Sequence, residues 1–257
     1  MKNLNFTKND KIFLAGHNGL VGSSILDQLL ENKFENIITI SRKNLDLRNQ
    51  YEVNSYLNEN KFDTIIIAAA KVGGVLANAK NPQEFLYDNL MIQNNLIHLG
   101  YKNNVKKIIF LGSSCIYPKN ANQPMKEDEL LKGELEKTNE GYALAKIAGI
   151  KLCQYYNIKF DTSYRCLMPT NLYGEKDNYD EENGHVIPSL IKKFYIAEKN
   201  SEDVQVWGSG NAKREFLYVK DLASALVFTM SLSDSEFFLE NKFNNSHLNI
   251  GTGQEIS

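Results

Sequence analysis

Along the first two-thirds of the chain, short unbroken runs of hydrophobic residues alternate with longer stretches whose apolar positions recur every three or four residues. The runs at 11–16, 36–41, 64–70, 106–112 and 162–168 read as strands. They are too continuously apolar to keep one face in water, as expected of parallel strands covered by helices on both sides. Residues 20–32, 48–60, 82–103 and 139–156 carry helical spacing. Strand–helix–strand alternation on this scale predicts right-handed βαβ units and an α/β fold, a Rossmann-type doubly wound parallel sheet.

Past Tyr173 the rhythm breaks. A polar, acidic loop at 175–184 precedes helical spacing at 188–199, a short strand at 204–207, a helix at 221–230 and a last strand at 247–250. The expected organisation is a flexible extension at 1–10, a dinucleotide-binding sheet domain at 11–172, and a smaller, partial substrate lobe at 173–257 interleaved with the end of the sheet.

Composition narrows the partners. Of 257 residues, 42% are hydrophobic and 23% charged, an ordinary globular balance. A net charge of −2 with mixed signs points to neither nucleic acid nor an anionic membrane. No run approaches the roughly 18 uncharged apolar residues of a membrane span. Cys115, Cys153 and Cys166 are scattered without a C-x-x-C pair, which argues against a disulfide framework or a metal site and suits a reducing cytoplasm.

Chemistry concentrates in three places. Gly16-His17-Asn18-Gly19-Leu20-Val21-Gly22 falls where the first strand must turn into the first helix. Glycine is needed there for a positive φ, for backbone meeting a pyrophosphate, and for close helix–strand packing. The helix start offers unpaired N–H groups and a partial positive charge to phosphates. At the end of the second strand, Ser41-Arg42-Lys43 stands where a carboxylate would select an unphosphorylated ribose; Arg42 is twenty positions after Gly22. A cation there attracts a 2′-phosphate, so NADP(H) is the expected coenzyme.

Third, Tyr142 and Lys146 share a helix face, lined by the small residues Ala143, Ala145, Ala148 and Gly149. A phenol titrates near 10, and lowering it by about 3 units takes about 4 kcal/mol. A desolvated ammonium one turn away is expected to supply much of that. Leu111-Gly112-Ser113-Ser114-Cys115 follows the fourth strand at the carboxyl edge of the sheet, where such folds bind ligands. Ser113 is expected to hold a substrate carbonyl beside Tyr142.

These residues resemble the extended short-chain dehydrogenase/reductase superfamily and, more closely, the GDP-4-keto-6-deoxymannose 3,5-epimerase/4-reductase (GDP-L-fucose synthase) family. The resemblance rests on A-A-A-K-V-G-G at 68–74, L-G-S-S-C-I-Y-P at 111–118, Y-A-L-A-K-I-A-G-I-K-L-C at 142–153, M-P-T-N-L-Y-G at 168–174, H-V-I-P at 185–188 and R-E-F-L at 214–217. It implies that Tyr142, with Ser113 and Lys146, reduces a C4 ketone, after Cys115 as base and His185 as acid invert C3 and C5. It extends the coenzyme set to Leu111, Gly112, Ser113, Ser114, Lys146, Pro169, Thr170, Asn171, Leu172 and His185, and assigns Lys193, Trp207 and Arg214 to a GDP-sugar. It also implies a homodimer. Asn18 and Lys193 stand where the family has arginine, and family members continue beyond the position of Ser257. Two other readings stay open: another nucleotide-sugar epimerase or dehydratase, and a non-catalytic NADP(H)-binding protein. Ser114-Cys115, in place of an acidic residue after the loop serine, speaks against a dehydratase.

Overall fold

A computed structural model of the chain describes residues 4–180, 184–206, 208–238 and 246–257. In chain order the elements are β1 (Ile12–Ala15), α1 (Leu20–Glu31), β2 (Ile37–Ile38), α2 (Gln50–Asn60), β3 (Thr64–Ile67), α3 (Val75–Lys80), α4 (Pro82–Asn94), α5 (Gly100–Lys102), β4 (Lys107–Leu111), α6 (Glu140–Lys159), β5 (Ser163–Pro169), β6 (Asn171–Tyr173), α7 (Val186–Asn200), β7 (Arg214–Tyr218), α8 (Val219–Ser231), α9 (Asp234–Phe238), β8 (His247–Ile250) and β9 (Glu255–Ile256). A π-helical turn, Asn95–Leu99, joins α4 to α5, so the expected helix at 82–103 is one rod with a bulge.

The main sheet has six strands in the order β2-β1-β3-β4-β5-β8, and every pairing is parallel. Its strands bury both faces, which is why the sequence shows unbroken apolar runs. Phe13, Ile65, Ile108 and Phe110 point into one layer with Val53 and Leu57 of α2 and Ile150 of α6. Ile12, Leu14, Ile66 and Ile109 point into the other, with Ile25 and Leu29 of α1 and Leu226 and Met230 of α8. From β1 the chain crosses one way to β2 and the other way to β3, which leaves a crevice at the carboxyl ends of β1 and β3.

Three expectations change. Residues 4–10 are not a loose extension: Phe6 is buried, and the Asp10 carboxylate accepts from Thr64 Oγ1 at 2.9 Å and pairs with Lys107. A buried carboxylate with three partners, the third being Thr7 Oγ1 at 2.7 Å, anchors the segment under the sheet. No strand forms at 204–206, and Trp207 lies outside the described residues. Instead a second sheet, β6-β7-β9, is built from the chain after β5, with β6 and β7 parallel and β7 and β9 antiparallel. Its strands are short and partly exposed, so they leave no unbroken apolar signature.

Candidate active site

The turn after β1 is closed by backbone contacts that only glycine permits. Gly16 has φ +96°, and a Cβ there would lie 2.5 Å from the Ala69 amide nitrogen. At Gly22 a Cβ would lie 2.0 Å from the Gly16 carbonyl oxygen. Helix α1 follows its N-cap Gly19 with no side-chain cap and no acidic residue in its first turn. Its first N–H groups therefore point into the crevice with the positive end of the helix behind them. Asn18 and Gly19 are exposed at the tip, while Leu20 and Val21 are half-buried. His17 Nδ1 is buried without a partner among the described residues. A cradle of unpaired donors that a methyl group would fill fits the diphosphate of a dinucleotide. Arg42 is exposed in the turn beyond β2, in the field of Asp46, whose carboxyl is held down to about 2, chiefly by the hydrogen bond from Arg48.

The second cluster assembles where β4 meets α6. Gly112 donates to the Leu167 carbonyl at 2.9 Å, and a Cβ on it would lie 2.2 Å from Met168 Sδ. The chain then enters a 3-10 turn, Ser114–Ile116, capped by Ser113, whose Oγ accepts from the Cys115 N–H at 3.5 Å. Across from it, Lys146 on α6 donates to the Leu111 carbonyl at 2.7 Å. Its ammonium lies 4.8 Å from the Phe110 ring centre and 5.6 Å from that of Tyr142. Lys146 is only 3% exposed, and burial pulls it down to about 8. Burial pushes the part-buried Cys115 thiol up to about 11, opposed by the Ser113 hydrogen bond and the Lys146 charge.

Tyr142 departs from expectation. Burial, and then the nearby Cys115, push its phenol above the ordinary value instead of lowering it. Desolvation penalises the phenolate more than a neighbouring ammonium can repay before substrate arrives. The resting phenol therefore keeps its proton, the form that an acid must have.

Ser113, Cys115, Tyr142 and Lys146 are thus brought together; the outer residues are more dispersed. Pro169 ends β5 opposite Ile250, and the Thr170 N–H donates to the Ile250 carbonyl at 3.2 Å. Thr170 Oγ1 is buried without a partner among the described residues. Asn171 Nδ2 donates to the Glu215 carbonyl at 2.9 Å, and Leu172 pairs with Leu217 across β6 and β7. His185 is the N-terminal flanking residue of α7, exposed, with Nδ1 3.8 Å from Asp177 Oδ1. Lys193 is half-buried on α7, and Arg214 is exposed at the start of β7, where it donates to the Lys213 carbonyl at 2.7 Å.

Sequence reading missed Asn89. Its side chain accepts from the Lys71 N–H and donates to the Lys71 carbonyl, both at 2.9 Å, and so fixes the loop after β3. The sequence shows only an adjacent polar pair, Asp88-Asn89, whose burial the structure alone reveals.

A dinucleotide crevice at the switch point, with a buried lysine beside a tyrosine one helical turn away and a serine loop, defines an enzyme that moves a hydride and a proton. The chain belongs to the NAD dependent epimerase/dehydratase family, whose model matches residues 12–251. A protein of Escherichia coli (strain K12) named GDP-L-fucose synthase is 49% identical over 249 residues, 96% of this chain and 77% of that protein. Among solved structures, a GDP-D-glycero-L-gluco-heptose synthase from Campylobacter jejuni, in the presence of NADPH, matches with TM-score 0.89 and 35% identity, over 98% of this chain and 83% of that one. A GDP-L-fucose synthetase from Naegleria fowleri bound to NADP matches with TM-score 0.84 and 29% identity, over 97% and 79% of the two chains.

Proposed function

We propose that this chain is an NADPH-dependent epimerase-reductase that converts GDP-4-keto-6-deoxy-D-mannose to GDP-L-fucose, by C3 and C5 epimerisation followed by reduction of the C4 ketone. The observation that carries this reading is Cys115 beside Tyr142 and Lys146, because a thiol in that position supplies a base that a simple reductase does not need. The names and identities of the relatives support the same substrate.

Carbons next to the ketone are acidic because an enolate places charge on oxygen, where Tyr142 and Ser113 donate hydrogen bonds. Cys115, as thiolate, takes the C3 and then the C5 proton. His185, at the start of α7, returns a proton on the opposite face. Lys146 draws the thiol toward ionisation and opposes the effect of burial. When bound, the coenzyme supplies hydride to C4; Tyr142 gives its proton to the C4 oxygen, and the Lys146 ammonium stabilises the phenolate left behind. The glycine turn holds the coenzyme diphosphate, with Arg42 toward the 2′-phosphate. Residues 11–172 then carry the coenzyme, while Lys193, Trp207 and Arg214 in 173–257 serve the GDP-sugar.

A cytoplasmic homodimer completes the reading. Tyr87 on α4 and Leu144, Tyr155 and Ile158 on α6 are exposed apolar side chains on two helices that pack side by side, an area suited to a second copy. The test is incubation of the protein with GDP-4-keto-6-deoxymannose and NADPH. The expected result is loss of reduced coenzyme and appearance of GDP-L-fucose. Intact NADPH binding without turnover of this sugar would overturn the assignment.

A further inference from the structure

The loop that follows β2 carries a carboxylate, Asp46, in the field of Arg42. β2 pairs with β1, so its carboxyl end lies beside the glycine turn, where dinucleotide folds read the ribose 2′ position. Residues 41–48 hold Arg42 and Lys43 but also Asp46. A free carboxylate there would repel a 2′-phosphate and draw Arg42 into an ion pair, since Arg42 already lies within its field.

Arg48 prevents this. Its Nε donates to Asp46 Oδ1 at 3.0 Å and its Nη2 to Asp46 Oδ2 at 2.7 Å, a two-pronged pairing that occupies both carboxylate oxygens. The remaining prong, Nη1, donates to Asp88 Oδ1 of α4 at 3.0 Å. Asp88 is 9% exposed and lies 3.8 Å from the Lys71 ammonium, so the guanidinium is fixed against the scaffold. The same loop is pinned a second time, by Asn95 Nδ2 donating to the Leu47 carbonyl at 2.9 Å. Asn95 belongs to the π-helical turn after α4, a bulge of the kind found at functional sites.

We propose that Arg48 is a specificity-determining residue: by neutralising Asp46 and tying it to α4, it leaves Arg42 available for a coenzyme 2′-phosphate and so selects NADPH over NADH. Arg48 acts through Asp46 and Arg42 as a positioning residue. The inference rests on the coenzyme reading above but not on the sugar.

The experiment measures NADPH and NADH binding to the purified chain by calorimetry, without sugar, for the wild type and for R48A, D46N and the double variant D46N/R48A. The wild type is expected to prefer NADPH. R48A is expected to weaken NADPH roughly tenfold, the scale of one charge-assisted hydrogen bond, and NADH no more than about twofold. D46N/R48A is expected to recover most of the NADPH affinity, because the repelling carboxylate is gone. D46N keeps Arg48 on Asp88 and is expected to hold or tighten NADPH, so it reads the idea even if R48A folds poorly. Equal losses of both coenzymes in R48A, absence of rescue in the double variant, weaker NADPH binding in D46N, or a wild type without NADPH preference would each overturn the proposal. Failure of sugar turnover with this coenzyme pattern intact would count against the proposed substrate alone.

Discussion

At Lys146 a buried ammonium rests on the Leu111 carbonyl and on the ring face of Phe110, and burial brings its titration down to about 8. Its charge is present below that pH and lost as pH rises through it. Because in the proposed mechanism this charge stabilises the Tyr142 phenolate formed on reduction, kcat for NADPH oxidation is expected to fall as pH rises through about 8. Lys146→Met is expected to lower kcat by roughly 10²–10⁴-fold and to remove that limb from the pH–rate profile. A variant that keeps the same limb would assign it to another group. In the proposed mechanism Cys115 serves the epimerisation and not the reduction. Cys115→Ser is expected to stop solvent deuterium entry at C3 and C5, read by mass spectrometry, while NADPH still binds. Exchange at the wild-type rate would remove the thiol from the mechanism.

Among the elements, what the sequence revealed follows from how each is buried. β1, β3, β4 and β5 bury both faces, and the residues that do so are consecutive in the chain. β6, β7 and β9 are short and partly wet, so neighbouring polar residues hide them. Likewise Tyr142 and Lys146 share one helical turn and could be paired on paper. Arg48 and Asp88 are 40 positions apart and meet only because α4 folds back beside the loop. The direction of the Tyr142 shift was also illegible, since it depends on desolvation, which spacing does not encode. The glycine turn was legible, and its three glycines now separate into different roles. Gly19 has ample room, with a Cβ 3.7 Å from its nearest neighbour, whereas a Cβ on Gly22 would lie 2.0 Å from a backbone oxygen. Gly19→Ala is therefore expected to melt like the wild type but bind NADPH at least about tenfold more weakly, because the methyl group occupies the phosphate cradle. Gly22→Ala is expected to cost about 1–3 kcal/mol of stability as well as coenzyme binding. Thermal melts paired with coenzyme fluorescence distinguish the two, and a Gly19→Ala protein that binds normally would show that the diphosphate does not lie over this turn.

For the molecule as a whole, the sheet is completed late, when the chain returns from α9 and β8 adds to β5. Arg165 on β5, fully buried, donates to the Leu232 carbonyl at 2.9 Å and pairs with Asp234 at 3.2 Å, which ties β5 to the residues between α8 and α9 and to the start of α9. The first residue of β8, His247, is 6% exposed, and its Nε2 has no partner among the described residues. Burial first, with the Lys151 charge adding to it and Glu127 opposing, pulls its titration from 6.5 to about 4. The folded chain thus refuses a proton that the unfolded chain accepts between those values. The stability this provides is complete above 6.5 and is lost as pH falls through about 4, a change of about 3 kcal/mol. Asp46 contributes in a separate, lower window, from 3.8 down to about 2, so the two losses do not overlap. Urea unfolding of the wild type is expected to show its midpoint falling between pH 6.5 and 4.5, and His247→Gln, which cannot titrate, is expected to flatten that fall whatever its effect at pH 7. Parallel curves for the two proteins would mean that edge-strand docking is not the acid-sensitive step, and that carboxylates such as Asp10, buried against Lys107, set the limit instead.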